Sequence, residues 1–105
     1  GEDFPISLLM AASAISEAQQ SNSFLKKETL LTSAIETLAK DSLLVESFAY
    51  MHALFLRAGV RLELMPSNVE GALEDARLAT KLDPSEAKAW RVLARAEEEG
   101  GNVKE

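Results

Sequence analysis

The stretch from Asn68 to Asn102, NVEGALEDARLATKLDPSEAKAWRVLARAEEEGGN, decides the fold class. Ala72, Ala76 and Ala79 recur at i, i+4, i+7, so three small residues share one helix face and a neighbouring backbone can come close. Asp83 reads as the N-cap of a second helix, with Pro84 at its first helical position and Glu86 completing a capping-box-like pattern. Trp90, Leu93 and Ala94 follow on one face of that helix. Gly100-Gly101 ends it, and Asn102 reads as the cap of another. The unit is therefore a helix, a tight turn and a second helix.

These residues resemble the tetratricopeptide repeat, a helix–turn–helix unit of about 34 residues. Ala72 and Pro84 stand where that pattern has its second-helix alanine and closing proline. Trp90, Leu93 and Ala94 match the next unit's W-x-x-L-G opening with Ala for Gly, and Gly101-Asn102 match its inter-helix turn. The aromatics of the pattern are missing at Ala76 and Glu97. The resemblance covers Asn68 to Asn102 and fades upstream. It implies an all-α fold of antiparallel helical hairpins stacked as a short right-handed solenoid, with five helices in this chain.

The rest of the chain supplies the other helices. Ile6, Leu9, Met10, Ala14 and Ile15 recur near helical spacing and predict a helix over Pro5 to Gln20, with Asp3 as its N-terminal signal. A polar connection from Gln19 to Ser23 precedes a second helix over Phe24 to Ala39, with Leu30, Leu31, Ala34, Ile35 and Leu38 on its inner stripe. Asp41-Ser42 offers the next cap. From Leu43 to Leu64 almost every position is apolar or small, which predicts a third helix buried on several sides at the centre of the molecule. Pro66 ends it, and Ser67 with Glu70 reads as a capping box for the fourth helix, Asn68 to Leu82; the fifth runs from Pro84 to Gly100. With Ala58 in the small-residue position of the middle unit, about two extra residues fall near Leu64 to Ser67. One domain over residues 1–105 is thus expected, with a degenerate first hairpin at 5–39, a repeat-like hairpin at 43–82 and a last helix at 84–100 acting as cap or truncated repeat. Asn102 to Glu105 reads as the start of a sixth helix, either cut or ending as a frayed tail.

Composition narrows the function classes. A chain of 105 residues that is 47% apolar can bury one modest core. The net charge of −6, with no long basic block, argues against general attraction to nucleic acid or an anionic membrane. The absence of cysteine excludes disulfides and thiolate chemistry and fits a reducing, cytoplasmic setting. Arg57 interrupts the longest candidate for a membrane span, no signal peptide is expected, and Gly1 reads as a cloning scar. His52 is the only histidine, which gives neither a metal site nor a triad. Glu97-Glu98-Glu99 is a solvated run rather than a catalytic pair, and Gly100-Gly101 opens no phosphate loop. Neither an enzyme nor a bound cofactor is expected.

In the family resembled, the first helix of each hairpin lines a concave, peptide-binding face. Carried over by position, that face holds Leu9, Ala12, Ser13 and Ser16, then His52, Phe55, Leu56 and Gly59, then Lys88, Arg91, Val92 and Arg95. Lys88, Arg91 and Arg95 share one face of the fifth helix and suit an acidic side chain or a carboxylate; the plainer reading leaves them to Glu86, Glu98, Glu99 or water, as ordinary solubilising surface charges. Some members of the family clamp the acidic C-terminal tails of heat-shock chaperones. Lys88 matches that clamp, but Val92, Leu56, Ala12 and Ser16 replace its other polar anchors, so a chaperone tail would have to bind in another way. Trp90 could serve as a peptide-binding aromatic, but its register with Leu93 and Ala94 favours a core wedge between the fourth and fifth helices, where truncation to Ala would cost about 3–5 kcal/mol. The reading that results is a cytoplasmic adaptor or scaffold for a protein or peptide partner, acidic or C-terminal. The alternative is a self-associating structural subunit whose helical ends stack on further repeats or on another copy.

Overall fold

A computed structural model describes residues 5–100. Its elements are α1 (Ile6–Gln20), α2 (Phe24–Ala39), α3 (Phe48–Glu63), α4 (Val69–Leu82) and α5 (Ala87–Glu99), with no strand among the described residues. Side-chain caps set most of the starts. Ser23, Ser47, Asn68 and Glu86 accept from the backbone N–H groups of Lys26, Tyr50, Gly71 and Lys88, satisfying donors that the first helical turn leaves free. α1 instead begins after Pro5, without a side-chain cap.

Several expected boundaries move for that reason. α3 starts at Phe48 rather than Leu43, because Asp41 turns its carboxylate onto the Leu43 N–H and closes a turn, leaving Ser47 as the cap. Leu44 still enters the core from that turn. Asn68 caps α4 in place of the expected Ser67 and Glu70 pair. Asp83 likewise organises the turn before α5, accepting from the Ser85 N–H and hydroxyl, so α5 begins only at Ala87. Asp3, Gly101 and Asn102 lie outside the described residues.

Consecutive helices pack on one another, α1 also meets α3, and α3 also meets α5, whereas α2 and α4 share no contact. α3 is thus the central helix its composition predicts, burying Met51, Ala53, Leu54, Phe55, Ala58, Val60 and Leu62. One core cluster joins α1 and α2 to α3 around Leu31, Leu38 and Leu54 and reaches Ala79 of α4 and Ala89 of α5; a second joins Ala58 and Leu62 to Ala72, Ala76, Leu93 and Ala96. The alanine face of α4 is wholly buried, as its spacing predicts. The molecule is elongated, 55 × 29 × 20 Å.

Two expected faces are rotated. α1 packs through Ala11, Ile15 and Ala18, small enough at two of three positions for close approach, and leaves Ile6, Leu9 and Met10 exposed. α5 packs through Ala89, Leu93 and Ala96, which leaves Ala94 outside and Trp90 48% exposed. Trp90 is therefore not the wedge between α4 and α5. Its indole N–H donates to the Pro84 carbonyl at 2.7 Å, which holds the ring over the turn before its own helix.

The gap between α2 and α4 is spanned by side chains of α3. Arg57 donates from Nε and Nη2 to the two carboxylate oxygens of Asp75 in α4, at 2.7 and 2.8 Å, and from Nη1 to the Thr32 hydroxyl in α2 at 3.1 Å. Arg61 reaches Glu28 in α2 at 2.9 Å and Asp75 at 3.2 Å. Two arginines thus face two carboxylates, and no buried side-chain nitrogen or oxygen lacks a partner among the described residues. Burial alone would lower the Arg57 pKa, but the hydrogen bonds and charge of Asp75 outweigh it and raise the pKa above its ordinary value.

Candidate functional site

α3 and α5 run in the same direction, because His52 lies near Lys88 while Glu63, a further three turns along α3, meets Arg95 on α5. Side chains of two parallel helices leave a trough between them. Here it is a groove of about 430 Å3 lined by Phe55, Leu56, Gly59, Val60 and Glu63 of α3 and by Lys88, Arg91, Val92 and Arg95 of α5. Phe24 closes one side from the first turn of α2. At 100° per residue, Leu56, Gly59 and Glu63 fall on the side of α3 opposite Arg57 and Arg61, so the groove and the arginine bridge use separate faces of one helix.

The structure therefore brings together six of the seven residues singled out in the sequence: Phe55, Leu56, Lys88, Arg91, Val92 and Arg95. The seventh, His52, stands beside the lining rather than in it. It stacks on Phe48 and lies tilted against Phe55, with ring centroids 5.1 and 5.2 Å away, forming an aromatic ridge along α3. Burial holds the His52 pKa below its ordinary value, the Lys88 ammonium lowers it further, and Glu86 partly opposes both. Leu9, Ala12, Ser13 and Ser16 of α1 do not line this groove.

The three cations are not equivalent. Arg95 donates to Glu63 at 2.6 Å and to Glu99 at 2.9 Å, and these two bonds raise its pKa. The plain ion-pair reading is right for Arg95. Lys88 and Arg91 are exposed and make no ion pair among the described residues. They border the apolar wall of Phe55, Leu56 and Val92 on a chain whose net charge is −6.

Three lining residues, Phe24, Val60 and Glu63, were missed by the sequence reading. Val60 and Glu63 were within reach of it, since Leu56, Gly59, Val60 and Glu63 follow helical spacing. Phe24 carried no such signal. It arrives because α2 runs antiparallel to α3, with Glu28 opposite Arg61 and Thr32 opposite Arg57, so the start of α2 lies against the end of α3. Among the described residues there is no cluster of three or more side chains suited to a metal ion. None of the described helices is long and apolar enough to cross a membrane. Comparison with protein-family models, curated proteins and solved structures gives no match.

Proposed function

We propose that this chain is a tetratricopeptide-like interaction module, a cytoplasmic adaptor whose α3–α5 groove takes an acidic segment of a partner protein, internal or C-terminal. The observation that carries the reading is the pair of exposed cations, Lys88 and Arg91, that make no ion pair among the described residues and stand beside an apolar wall in a groove on a chain of net charge −6. Apolar burial supplies affinity in such a site, while carboxylates of the ligand choose among partners by charge. The packing of α1 on α3 and of α3 on α5, with α2 and α4 apart, supports a stack of hairpins.

An array of acidic peptides, internal and C-terminal, probed with the wild-type domain and with a Lys88→Glu, Arg91→Glu variant, tests the proposal. Binding confined to the wild-type protein and weakened by salt is expected. Equal binding by both proteins would remove the groove from the site.

A second reading, self-association, is favoured by the exposed apolar residues at the two ends of the chain: Ile6, Leu9 and Met10 on α1 and Trp90 on α5. Light scattering over a wide concentration range separates the two. A monomer that still binds acidic peptides leaves the adaptor reading alone.

A further inference from the structure

Gly59 lies inside α3, where glycine is less favourable than alanine. Neither backbone nor packing calls for it. Its φ is not in the left-handed region, and a Cβ added there would meet no heavy atom within 4 Å. Gly71 is the contrast: a Cβ there would sit 2.5 Å from the Asn68 side-chain nitrogen and 2.8 Å from Arg61 Nη1. A side chain at Gly71 would have to displace the Asn68 cap and the Arg61 guanidinium, whereas at Gly59 no such neighbour stands in the way. Gly59 lines the groove together with the apolar side chains of Phe55, Leu56, Val60 and Val92 and the cations Lys88 and Arg91, and the absence of a side chain there leaves that space open.

We infer that Gly59 is the floor of a subsite for one bulky aliphatic or aromatic side chain of the peptide, carried beside an acidic residue that Lys88 and Arg91 engage. The inference rests on the groove reading above and adds the chemistry of the ligand. Apolar walls around an open floor admit a side chain of leucine or phenylalanine size. The neighbouring cations place a carboxylate next to it. The ligand is thus a peptide with one large apolar residue flanked by acids, not a uniformly acidic tail.

The test uses fluorescently labelled short peptides with one variable residue, Ala, Val, Leu or Phe, between aspartates, titrated into four proteins. These are the wild type, Gly59→Ala, Gly59→Leu, and the Lys88→Glu, Arg91→Glu variant, each checked for helicity by circular dichroism. In the wild type, Leu and Phe peptides should bind about 10-fold or more tighter than the Ala peptide, from the burial of the larger side chain. In Gly59→Leu that preference should vanish while the salt dependence stays. Gly59→Ala should weaken the Leu and Phe peptides yet raise the melting temperature by about 2–8 °C, since Ala is the better helix former. A wild-type preference left intact in Gly59→Leu overturns the inference. So does flat binding across the series in the wild type; if that binding is lost on Lys88→Glu, Arg91→Glu, the groove reading survives without the Gly59 subsite. No binding by any wild-type titration overturns both.

Discussion

Replacing Asp75 by alanine would strand two guanidinium groups on the back of α3. The carboxylate accepts three charge-assisted bonds, two from Arg57 and one from Arg61, and its side chain is only 6% exposed. Breaking a buried pair by removing one partner costs about 3–5 kcal/mol, because the other charge is left uncompensated. Arg57 and Arg61 are 13% and 17% exposed and keep Thr32 and Glu28, so the loss belongs at the lower end, about 3 kcal/mol. A chain of this size has about 5–15 kcal/mol in all, and the melting temperature should fall by about 12–24 °C. Urea and thermal unfolding followed by circular dichroism measure both quantities. Adding Arg57→Met to Asp75→Ala should restore part of the loss, since it removes the stranded charge. A cost under about 1 kcal/mol for Asp75→Ala, or a double variant weaker than the single, would refute the account of these groups as a desolvated, mutually dependent set.

Other variants test separate features. Trp90→Ala should cost about 1 kcal/mol, little more than its bond to the Pro84 carbonyl, and a loss above about 3 kcal/mol would put the indole back in the core. Gly71→Ala should destabilise despite the better helix propensity of alanine, because the new methyl displaces the Asn68 cap and Arg61; a higher melting temperature would contradict the contacts at that site. The His52 pKa, read from ring proton shifts, should lie below 6.5 and rise in Lys88→Ala. Because the folded value is the lower one, the unfolded chain binds the extra proton: the His52 contribution to stability is full above pH 6.5 and is lost as pH falls through the folded pKa. An unchanged pKa in Lys88→Ala would separate the two side chains.

The parts of the fold legible in the sequence are those that local pattern determines. Phe24–Ala39 could be bounded because Ser23 caps it and Leu31, Ala34, Ile35 and Leu38 keep strict spacing. The start of α3 could not, since Asp41, Ser42 and Ser47 are all competent caps, and Asp41 spends its carboxylate on the turn at Leu43 while Leu44 enters the core. Trp90 was misplaced by one step of helix rotation: Leu93 faces the core in either register, but Ala89 and Ala96 allow closer approach than an indole would. Most of the groove was readable by carrying the inner positions of the resembled repeat onto α3 and α5. The arginine bridge was not, because partners 14, 18, 25 and 33 residues apart leave no periodic trace.

The separation of α2 from α4 also bears on how the chain folds. Every packed pair of helices is adjacent in sequence or has one helix between, so no contact waits on the closure of a loop spanning the whole chain. Such local topologies fold in microseconds to milliseconds. Without α3, however, the hairpin of α1 and α2 and the pair of α4 and α5 share no packed helices. The two halves are therefore packed together only through this one helix, and a change that loosens α3 loosens the coupling between them.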